Sequence, residues 1–482
     1  MIIITIFIII LVSIILINLI LVSTIVILEK KRPEKTIAWI LILLFLPPIG
    51  LILYVFLGRN WKINTLNKGV PDNLKKLISS IIYSNNETLK DYPSLIKLLA
   101  TNSYSPLFIN NEIEVFDGGI EKFKVLKKEL LKAKDHIHLE YYIVKNDKIG
   151  NEIKNILIKK AHEGVKIKFI IDRVGSIRLK ASYIKDLRNA GIDVVFYSYV
   201  FAPLLRLINT QINYRNHRKI VVIDGTIGFI GGINIGDEYL NKGKLGEWRD
   251  CHIMIKGDAV LALQGTFLDD YSSIKKCNSE NLNLSKDIKH YFPKSNFSGN
   301  VIMQVIKSGP NSEFPSIMQS IIKMVSMAEE YINIMTPYFI PSEGLIDALR
   351  ISALSGVKIN LIFPEQADHF TVHHASLTYL SELLRCGAKV YLYNKKGFIH
   401  SKVIIIDGKL CNIGTANMDI RSFELNYEIN TVIYNKEITK KFNNIFLKDL
   451  KNCREYTLRE YENQTILNKM LNGLCRLFSS IL

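Results

Sequence analysis

The sequence lacks paired cysteines, a phosphate-binding glycine loop and a cluster of carboxylates. Its six cysteines are scattered over 482 residues without a Cys-x-x-Cys pair. This spacing excludes a structural zinc site, and the length excludes a small disulfide-stapled module. No P-loop is present to bind a nucleotide, and no carboxylate set is present to hold Mg²⁺. We therefore predict a protein without a metal ion or another cofactor.

Basic and apolar residues are in excess. The chain has 62 Lys and Arg against 45 Asp and Glu, which gives a formal net charge of +17. Such a charge favours an anionic partner: nucleic acid, a phosphorylated substrate or an acidic membrane surface. Hydrophobic residues make up 48% of the chain, and most of the excess lies in the first sixty residues.

Two uncharged apolar stretches open the chain. The first runs from Ile2 to Leu28 and the second from Thr36 to Leu57, with a short basic segment, 29–35, between them. Each is long enough to cross a hydrocarbon layer of about 30 Å. A signal peptide is disfavoured, because the first stretch is too long and has neither a basic leading segment nor a cleavage site. Residues 1–60 are predicted to form a two-span transmembrane helical hairpin, and balanced basic flanks leave its orientation open.

The rest of the chain contains a duplicated unit. The segment 161–167, AHEGVKI, is echoed by 353–359, ALSGVKI, and each predicts a helix that ends at Gly and leads into an apolar strand. This alternation indicates an α/β fold with buried central strands. We predict a linker at 61–109, two units at 110–295 and 296–450 that pack as a pseudo-dimer, and an amphipathic tail at 451–482. The tail either lies on a membrane or packs against the core.

Each unit carries the same ordered set of polar residues. The pattern H-x-K-x4-D is followed by a glycine-rich stretch with an Asn seventeen residues after the His. The residues are His217, Lys219, Asp224 and Asn234 in the first unit and His400, Lys402, Asp407 and Asn417 in the second. Strand alternation places each His and Lys on the same face. Chance produces such a repeat at a frequency on the order of 10⁻⁵.

These residue types suit attack on a phosphodiester. One imidazole can attack phosphorus while a second protonates the leaving alkoxide. Ammonium and amide groups donate hydrogen bonds to the non-bridging oxygens, where charge concentrates in the transition state. The His, Lys and Asp residues of both motifs are therefore predicted to be catalytic, and Asn234 and Asn417 to bind the phosphate.

The paired motifs resemble those of the phospholipase D superfamily, and the chain from end to end resembles bacterial cardiolipin synthases. The matching segments are 31–39 (KRPEKTIAW), 213–219 (NYRNHRK), 248–250 (WRD), 336–341 (TPYFIP) and 419–423 (DIRSF). The resemblance implies two tandem phospholipase D-like units behind the membrane hairpin. It also implies a bacterial cell-membrane location and an anionic phospholipid, phosphatidylglycerol, as the substrate.

The resemblance further implies roles for individual residues. His217 is the nucleophile that forms a phosphatidyl-enzyme, and His400 acts first as an acid and then as a base. In the family an acidic residue after the Asn orients the His, and Glu428 occupies that place after Asn417. The equivalent spacing in the first unit falls on Leu245, so Glu247 or Asp250 is left to replace it.

The resemblance implies that a second phosphatidylglycerol accepts the phosphatidyl group, which gives cardiolipin and glycerol. If water is the acceptor, the enzyme is a hydrolase that releases phosphatidic acid, and other head-group exchanges also stay open. A nuclease of the same superfamily is disfavoured, because DNA cleavage needs no membrane span. A non-catalytic lipid-binding scaffold is disfavoured, since both His and both Lys are present.

Overall fold

The computed structural model describes residues 2–28, 33–46, 49–50, 53–54, 90–197, 214–277, 288–293, 297, 299–394 and 396–479. Residues 29–32 of the predicted basic turn, 61–89 of the predicted linker and Asn213 lie outside these ranges.

The amino-terminal unit contains two helices, α1 (Ile2–Leu28) and α2 (Pro33–Phe45). Proline suits the start of α2, because the first turn of a helix does not need its missing N–H group. The Trp39 ring lies edge-on to Tyr54 at 5.4 Å between centroids. Within the described residues, no helix combines the length and the apolarity that a membrane crossing requires.

The first of the two repeated halves is built on a seven-stranded sheet in the order β1-β9-β7-β6-β2-β3-β4. Its strands are β1 (Asn111–Phe116), β2 (His136–Tyr141), β3 (Lys166–Asp172), β4 (Asp193–Tyr197), β6 (Lys219–Ile223), β7 (Ile227–Gly231) and β9 (His252–Gly257). Its helices are α4 (Gly119–Lys132), α5 (Lys148–His162), α6 (Ala181–Asn189) and α7 (Val260–Cys277). Two short strands, β5 (Arg215–Asn216) and β8 (Glu247–Arg249), and two 3₁₀ turns, Asp237–Leu240 and Ile288–Tyr291, lie outside the sheet.

The second half repeats this architecture in the order β10-β19-β17-β16-β11-β13-β14-β20. Its strands are β10 (Met303–Ser308), β11 (Tyr331–Met335), β13 (Lys358–Pro364), β14 (Lys389–Tyr393), β16 (Val403–Ile406), β17 (Leu410–Gly414), β19 (Asn426–Ile433) and β20 (Cys453–Tyr456). Short strands are β12 (Phe339–Ile340), β15 (Gly397–Ile399) and β18 (Met418–Asp419). Helices are α8 (Ser316–Ser326), α9 (Glu343–Leu354), α10 (Phe370–Arg385), α11 (Ile420–Glu424), α12 (Lys436–Leu450), α13 (Leu458–Glu462) and α14 (Ile466–Leu477).

The shared strand order confirms the predicted pair of α/β units. In both halves three parallel strands joined through helices lie beside antiparallel strands, and the motif strands β6 and β16 are central. Every residue of these two strands is buried. Their continuous apolar sequence therefore follows from cover on both faces.

The two halves share one hydrophobic core, which confirms the predicted pseudo-dimer. Ile220 and Val222 of β6 belong to the same buried cluster as Val403 and Ile405 of β16. Helices α7 and α12 contribute further apolar side chains to that cluster. Burying apolar surface on this scale stabilises the association of the halves, and it places the ends of β6 and β16 near each other.

Two predicted boundaries differ from the structure. Helix α3 (Pro93–Asn102) lies in the predicted linker, yet Leu95 and Leu99 are fully buried in the core of the second half. Strand β20 lies in the predicted tail, yet it pairs with β14 as the edge of the second sheet. Both segments are short and only a few of their residues face the core, so neither gave a clear periodic pattern.

Candidate active site

Two pairs of short strands cross between the halves and carry the motif histidines. Strand β5 pairs in parallel with β19, and β8 pairs in parallel with β15. The backbone N–H of His217 donates to the carbonyl of Tyr427 at 3.0 Å. The backbone N–H of His400 donates to the carbonyl of Arg249 at 2.7 Å. Each histidine is thus positioned by a segment of the opposite half.

Each histidine side chain also bonds to a carboxylate of the opposite half. Nδ1 of His217 lies 2.8 Å from Oε1 of Glu428, and Nδ1 of His400 lies 2.6 Å from Oδ2 of Asp250. Both carboxylate side chains are fully buried. A carboxylate at Nδ1 selects the tautomer with its proton on that nitrogen, so the Nε2 lone pair is available for chemistry.

This crossed arrangement corrects the pairing that spacing suggested. Glu428 follows Asn417 of the second half, but it orients His217 of the first. Asp250, one of two candidates for His217, orients His400 instead. The reason is the strand crossing: each carboxylate is the next residue after the carbonyl that binds the opposite histidine, so it must face that histidine.

The two motif lysines are buried beside the histidines, as the strand alternation predicts. Nζ of Lys219 donates to the carbonyl of His217 at 2.7 Å, and Nζ of Lys402 donates to the carbonyl of His400. Lys402 also lies 4.0 Å from the Asp250 carboxylate. The two ammonium groups are held by these contacts at the ends of β6 and β16.

Burial and crowding of cationic groups govern the electrostatics of the site. Burial, reinforced by Lys219 and Lys402, holds the pKa of His217 well below its ordinary value. Burial and Lys402 lower the pKa of His400 to about 4, although Asp250 opposes the shift. Because the cations of one half act on the histidine of the other, the two motifs form a single site. Such a site favours an anion, whose charge relieves the repulsion.

The motif aspartates are in a different place. Asp224 and Asp407 each occupy a left-handed turn with the following glycine, at φ 51° and 64° in both halves, as in two-residue hairpin turns. Each aspartate follows the histidine of its motif by seven residues, and at about 3.3 Å per residue of extended chain this is a distance on the order of 20 Å. Each carboxylate accepts three backbone N–H groups, from Lys134, Asp135 and His136 or from Glu329, Glu330 and Tyr331. Their grouping with the catalytic residues therefore needs correction, because they anchor turns.

We expect Asp224→Asn to affect stability and not turnover. The amide keeps the shape but loses the charged acceptor of three N–H groups, which corresponds to a loss of about 2 kcal/mol. Thermal unfolding should show a lower Tm, while kcat stays within about twofold of the original, since the group is remote from the histidines. A loss of turnover with an unchanged Tm contradicts this assignment.

The two predicted phosphate-binding asparagines differ in their contacts. Asn234 donates through Nδ2 to the hydroxyl of Tyr239 at 3.0 Å, and that hydroxyl lies 3.4 Å from Nδ1 of His400. The Oδ1 atom of Asn417 is buried and has no hydrogen-bond partner among the described residues. A buried amide oxygen without a partner suits a site that a substrate group completes.

Aromatic side chains form walls that the motif analysis missed. The Tyr142 ring lies against His217 at 4.8 Å between centroids, and the Trp248 ring lies against His400 at 5.2 Å. Trp248 stands two residues before Asp250, and Tyr142 follows β2, the neighbour of β6. The signal in the sequence that could have identified Tyr142 and Trp248 is the position of one beside the candidate carboxylate Asp250 and of the other directly after a predicted strand.

One group of potential metal ligands occurs among the described residues. Ligand atoms of Asp135, His136 and His290 lie within 4.8 Å of one another. The Asp135 carboxylate bonds to both imidazoles, at 2.6 Å and 2.8 Å. The carbonyl of His136 accepts the backbone N–H of Asp224 at 2.9 Å, whereas Tyr141, at the other end of β2, pairs with Lys219. This group is therefore remote from His217.

Comparison with known proteins identifies the family of the chain. A family model described as "Cardiolipin synthase, PLD-like domain" matches residues 126–258 and 321–450, and a phospholipase D-nuclease N-terminal model matches residues 3–59. The major cardiolipin synthase ClsA of Bacillus subtilis is 40% identical over 94% of this chain and 95% of its own. The cardiolipin synthase of Oceanobacillus iheyensis is 40% identical over 95% and 96%.

A solved structure shows the same fold. Phosphatidylserine synthase of Haemophilus influenzae matches with a TM-score of 0.60 at 15% identity, over 82% of this chain and all of that one. The repeated sheets and the paired histidines thus define a duplicated enzyme of the phospholipase D superfamily. Within that superfamily, the chain belongs to the bacterial cardiolipin synthase family.

Proposed function

We propose that the protein is a cardiolipin synthase that transfers a phosphatidyl group between two phosphatidylglycerol molecules and releases glycerol. The observation that carries the proposal is the crossed pair of histidine–carboxylate contacts, His217–Glu428 and His400–Asp250. It provides two imidazoles, each with Nε2 available, in one buried cationic site. The names of the two bacterial relatives supply the substrate class.

The first half-reaction forms a covalent intermediate. Nε2 of His217 attacks the phosphorus of one phosphatidylglycerol, and the bond from phosphorus to the head-group oxygen breaks. His400 gives a proton to that oxygen, and glycerol leaves. The lowered pKa values keep both imidazoles unprotonated in the free site, and the family resemblance assigns the role of nucleophile to His217. The phosphodiester anion brings a negative charge that raises the pKa of His400 and lets it hold the proton.

The second half-reaction restores the enzyme. The terminal glycerol hydroxyl of a second phosphatidylglycerol gives its proton to His400 and attacks the phosphorus. The bond between phosphorus and nitrogen breaks, and cardiolipin leaves with His217 free. Lys219, Lys402, Asn234 and Asn417 stabilise the charge on the non-bridging oxygens, and Glu428 and Asp250 hold the tautomers. These steps need no further cofactor.

We also infer that residues 1–60 anchor the chain in the cell membrane as two spans. The sequence supports this, because Ile2–Leu28 carries no charge and 27 residues of helix rise about 40 Å. Large apolar side chains along α1 are exposed, among them Ile4 at 65% and Ile20 at 64%. Such a surface needs apolar surroundings.

The direct test is product analysis with the purified full chain and phosphatidylglycerol in mixed micelles. We expect equal amounts of cardiolipin and glycerol, and no product from His217→Asn. Phosphatidic acid alone would make the protein a hydrolase. Exchange into another head group would identify a different transferase, and DNA cleavage without lipid turnover would support a nuclease.

The alkaline limb of the pH profile should follow Lys219. Burial, opposed by Glu428, lowers the pKa of Lys219 to about 7, so the ammonium is present below that pH and lost above it. Because kcat/KM reports groups of the free enzyme, it should fall about tenfold per pH unit above about 7. In Lys219→Arg the guanidinium keeps its charge, and the limb should move to higher pH. An unmoved limb would assign it to another group.

A further inference from the structure

Helix α14 is oriented with its apolar side chains away from the protein. Its buried residues are Asn472 and Cys475, at 1% and 4% exposure. Five of its exposed residues are large and apolar: Ile466 (76%), Leu467 (77%), Met470 (67%), Leu474 (55%) and Leu477 (76%). An amphipathic helix on a soluble surface shows the opposite arrangement. The helix therefore packs against the core through the side that carries Asn472 and Cys475 and presents its large exposed apolar side chains outward.

Specific contacts fix this orientation. Oδ1 of Asn472 lies 2.7 Å from Nδ1 of His374 on α10, and its Nδ2 donates to Oε1 of Gln464 at 2.8 Å. The Arg476 guanidinium pairs with Glu382 and lies 4.2 Å over the Tyr379 ring. These contacts hold the polar side chains of Asn472 and Arg476 toward the core. The same contacts fix the rotation of the helix and thereby direct the apolar side chains outward.

The exposed side chains form one continuous stripe. At about 100° per residue, positions 466, 467, 470, 474 and 477 fall within an arc of about 100°, and the helix is about 18 Å long. Phe370 adds to the surface: it is 57% exposed and its ring lies 4.3 Å from His374, which contacts α14. A contiguous apolar patch of this kind marks an interaction site.

We propose that α14 and Phe370 insert into the interfacial layer of an anionic bilayer. The inference rests on the proposed function, which brings the chain to such a lipid. Charge favours lipid over a second copy of the chain, because Lys469 flanks the stripe on one edge and the chain carries an excess of cationic groups, with a formal net charge of +17. Two copies packed through this helix would bring these cations together, whereas anionic head groups complement them. The helix then gives the catalytic halves a contact with the bilayer that is their own.

The test places a fluorophore on the stripe of the full chain. Met470→Cys is labelled with an environment-sensitive dye and placed in phosphatidylglycerol nanodiscs that hold one chain each. Lys451→Cys, on an exposed turn, is the matched control, and the unsubstituted chain treated in the same way gives the background. We expect acyl chains brominated near the head group to quench the dye at 470 at least about twofold more than at 451.

The outcomes separate the possibilities. Quenching at 470 by aqueous iodide, to the same extent as at 451 and without quenching by brominated lipid, overturns the proposal. Shielding that appears only in discs with two chains assigns the stripe to a second copy and also overturns it. Because quenching needs no turnover, a quenched chain that makes no cardiolipin contradicts the proposed function and leaves the lipid surface in place.

A kinetic readout completes the test. The double variant Leu467→Asp/Leu474→Asp should raise the apparent KM for bilayer phosphatidylglycerol about tenfold, since two exposed leucines that insert into the lipid are replaced by charged side chains. Leu131→Asp, an exposed leucine on α4, is the control and should leave KM unchanged. With short-chain phosphatidylglycerol dissolved as monomers, the unsubstituted protein, the double variant and the Leu131→Asp control should show similar kcat. An equal KM in the double variant and the control overturns the proposal.

Discussion

A phosphatidyl group should accumulate on His217 in the His400→Asn variant when the substrate has a good leaving group. The glycerol oxygen of phosphatidylglycerol needs a proton from His400 to leave, but p-nitrophenolate does not. With phosphatidyl-p-nitrophenol, His400→Asn should release about one equivalent of p-nitrophenol in a burst and then stop. The base that activates the acceptor is missing, so the intermediate is not consumed.

The measurement is a rapid-mix absorbance trace together with mass spectrometry of the peptide that contains residue 217. Turnover of phosphatidylglycerol by this variant should fall by at least about 10³-fold. His217→Asn is the matched control and should give neither burst nor adduct. A burst in His217→Asn, with the adduct on His400, would reverse the two assignments.

Replacing each orienting carboxylate by its amide should produce a different defect, because each acts on the histidine of the opposite half. Glu428→Gln should disturb the nucleophile His217, and Asp250→Asn should disturb the acid His400. Each should lower kcat for phosphatidylglycerol about 10²–10³-fold, since the amide no longer selects the reactive tautomer. The rates of the two variants should differ when the substrate has a leaving group that needs no proton.

With phosphatidyl-p-nitrophenol, Asp250→Asn should recover most of the burst rate, while Glu428→Gln should remain slow. Glu247→Gln is the control, because Glu247 was the other candidate carboxylate and its side chain is exposed; it should keep full activity. The reverse pattern, in which Glu428→Gln recovers the burst, would contradict the crossed assignment. Combining Glu428→Gln with His217→Asn should add no further loss.

Much of this architecture could be predicted from the residues alone. The echoed segments 161–167 and 353–359 predicted two α/β units that pack together, and the repeated H-x-K-x4-D pattern gave each unit the same set of polar residues. Strand alternation correctly placed Lys219 beside His217 and Lys402 beside His400. These predictions hold because they depend on local periodicity and on burial, both of which are written along the chain.

The tertiary structure was needed for the partners of the histidines. Glu428 is 211 residues from His217, and no local pattern distinguishes it from Glu247 as a partner. The motif aspartates show the opposite error, because Asp224 follows His217 by only seven residues yet anchors a distant turn. Residues a few positions apart on an extended strand are far apart in space, as His217 and Asp224 are. Residues that are distant along the chain meet where segments of the two halves cross, as His217 and Glu428 do.

The sequence by itself determined the repeated His and Lys motifs, the duplicated α/β class and the apolar character of the amino-terminal sixty residues. Only the tertiary structure decided that each half orients the other's histidine, and that α14 faces outward with its apolar side. The physical reason is that residue type and periodicity set what a segment can bury. Which surface it buries against depends on packing between segments that are distant along the chain.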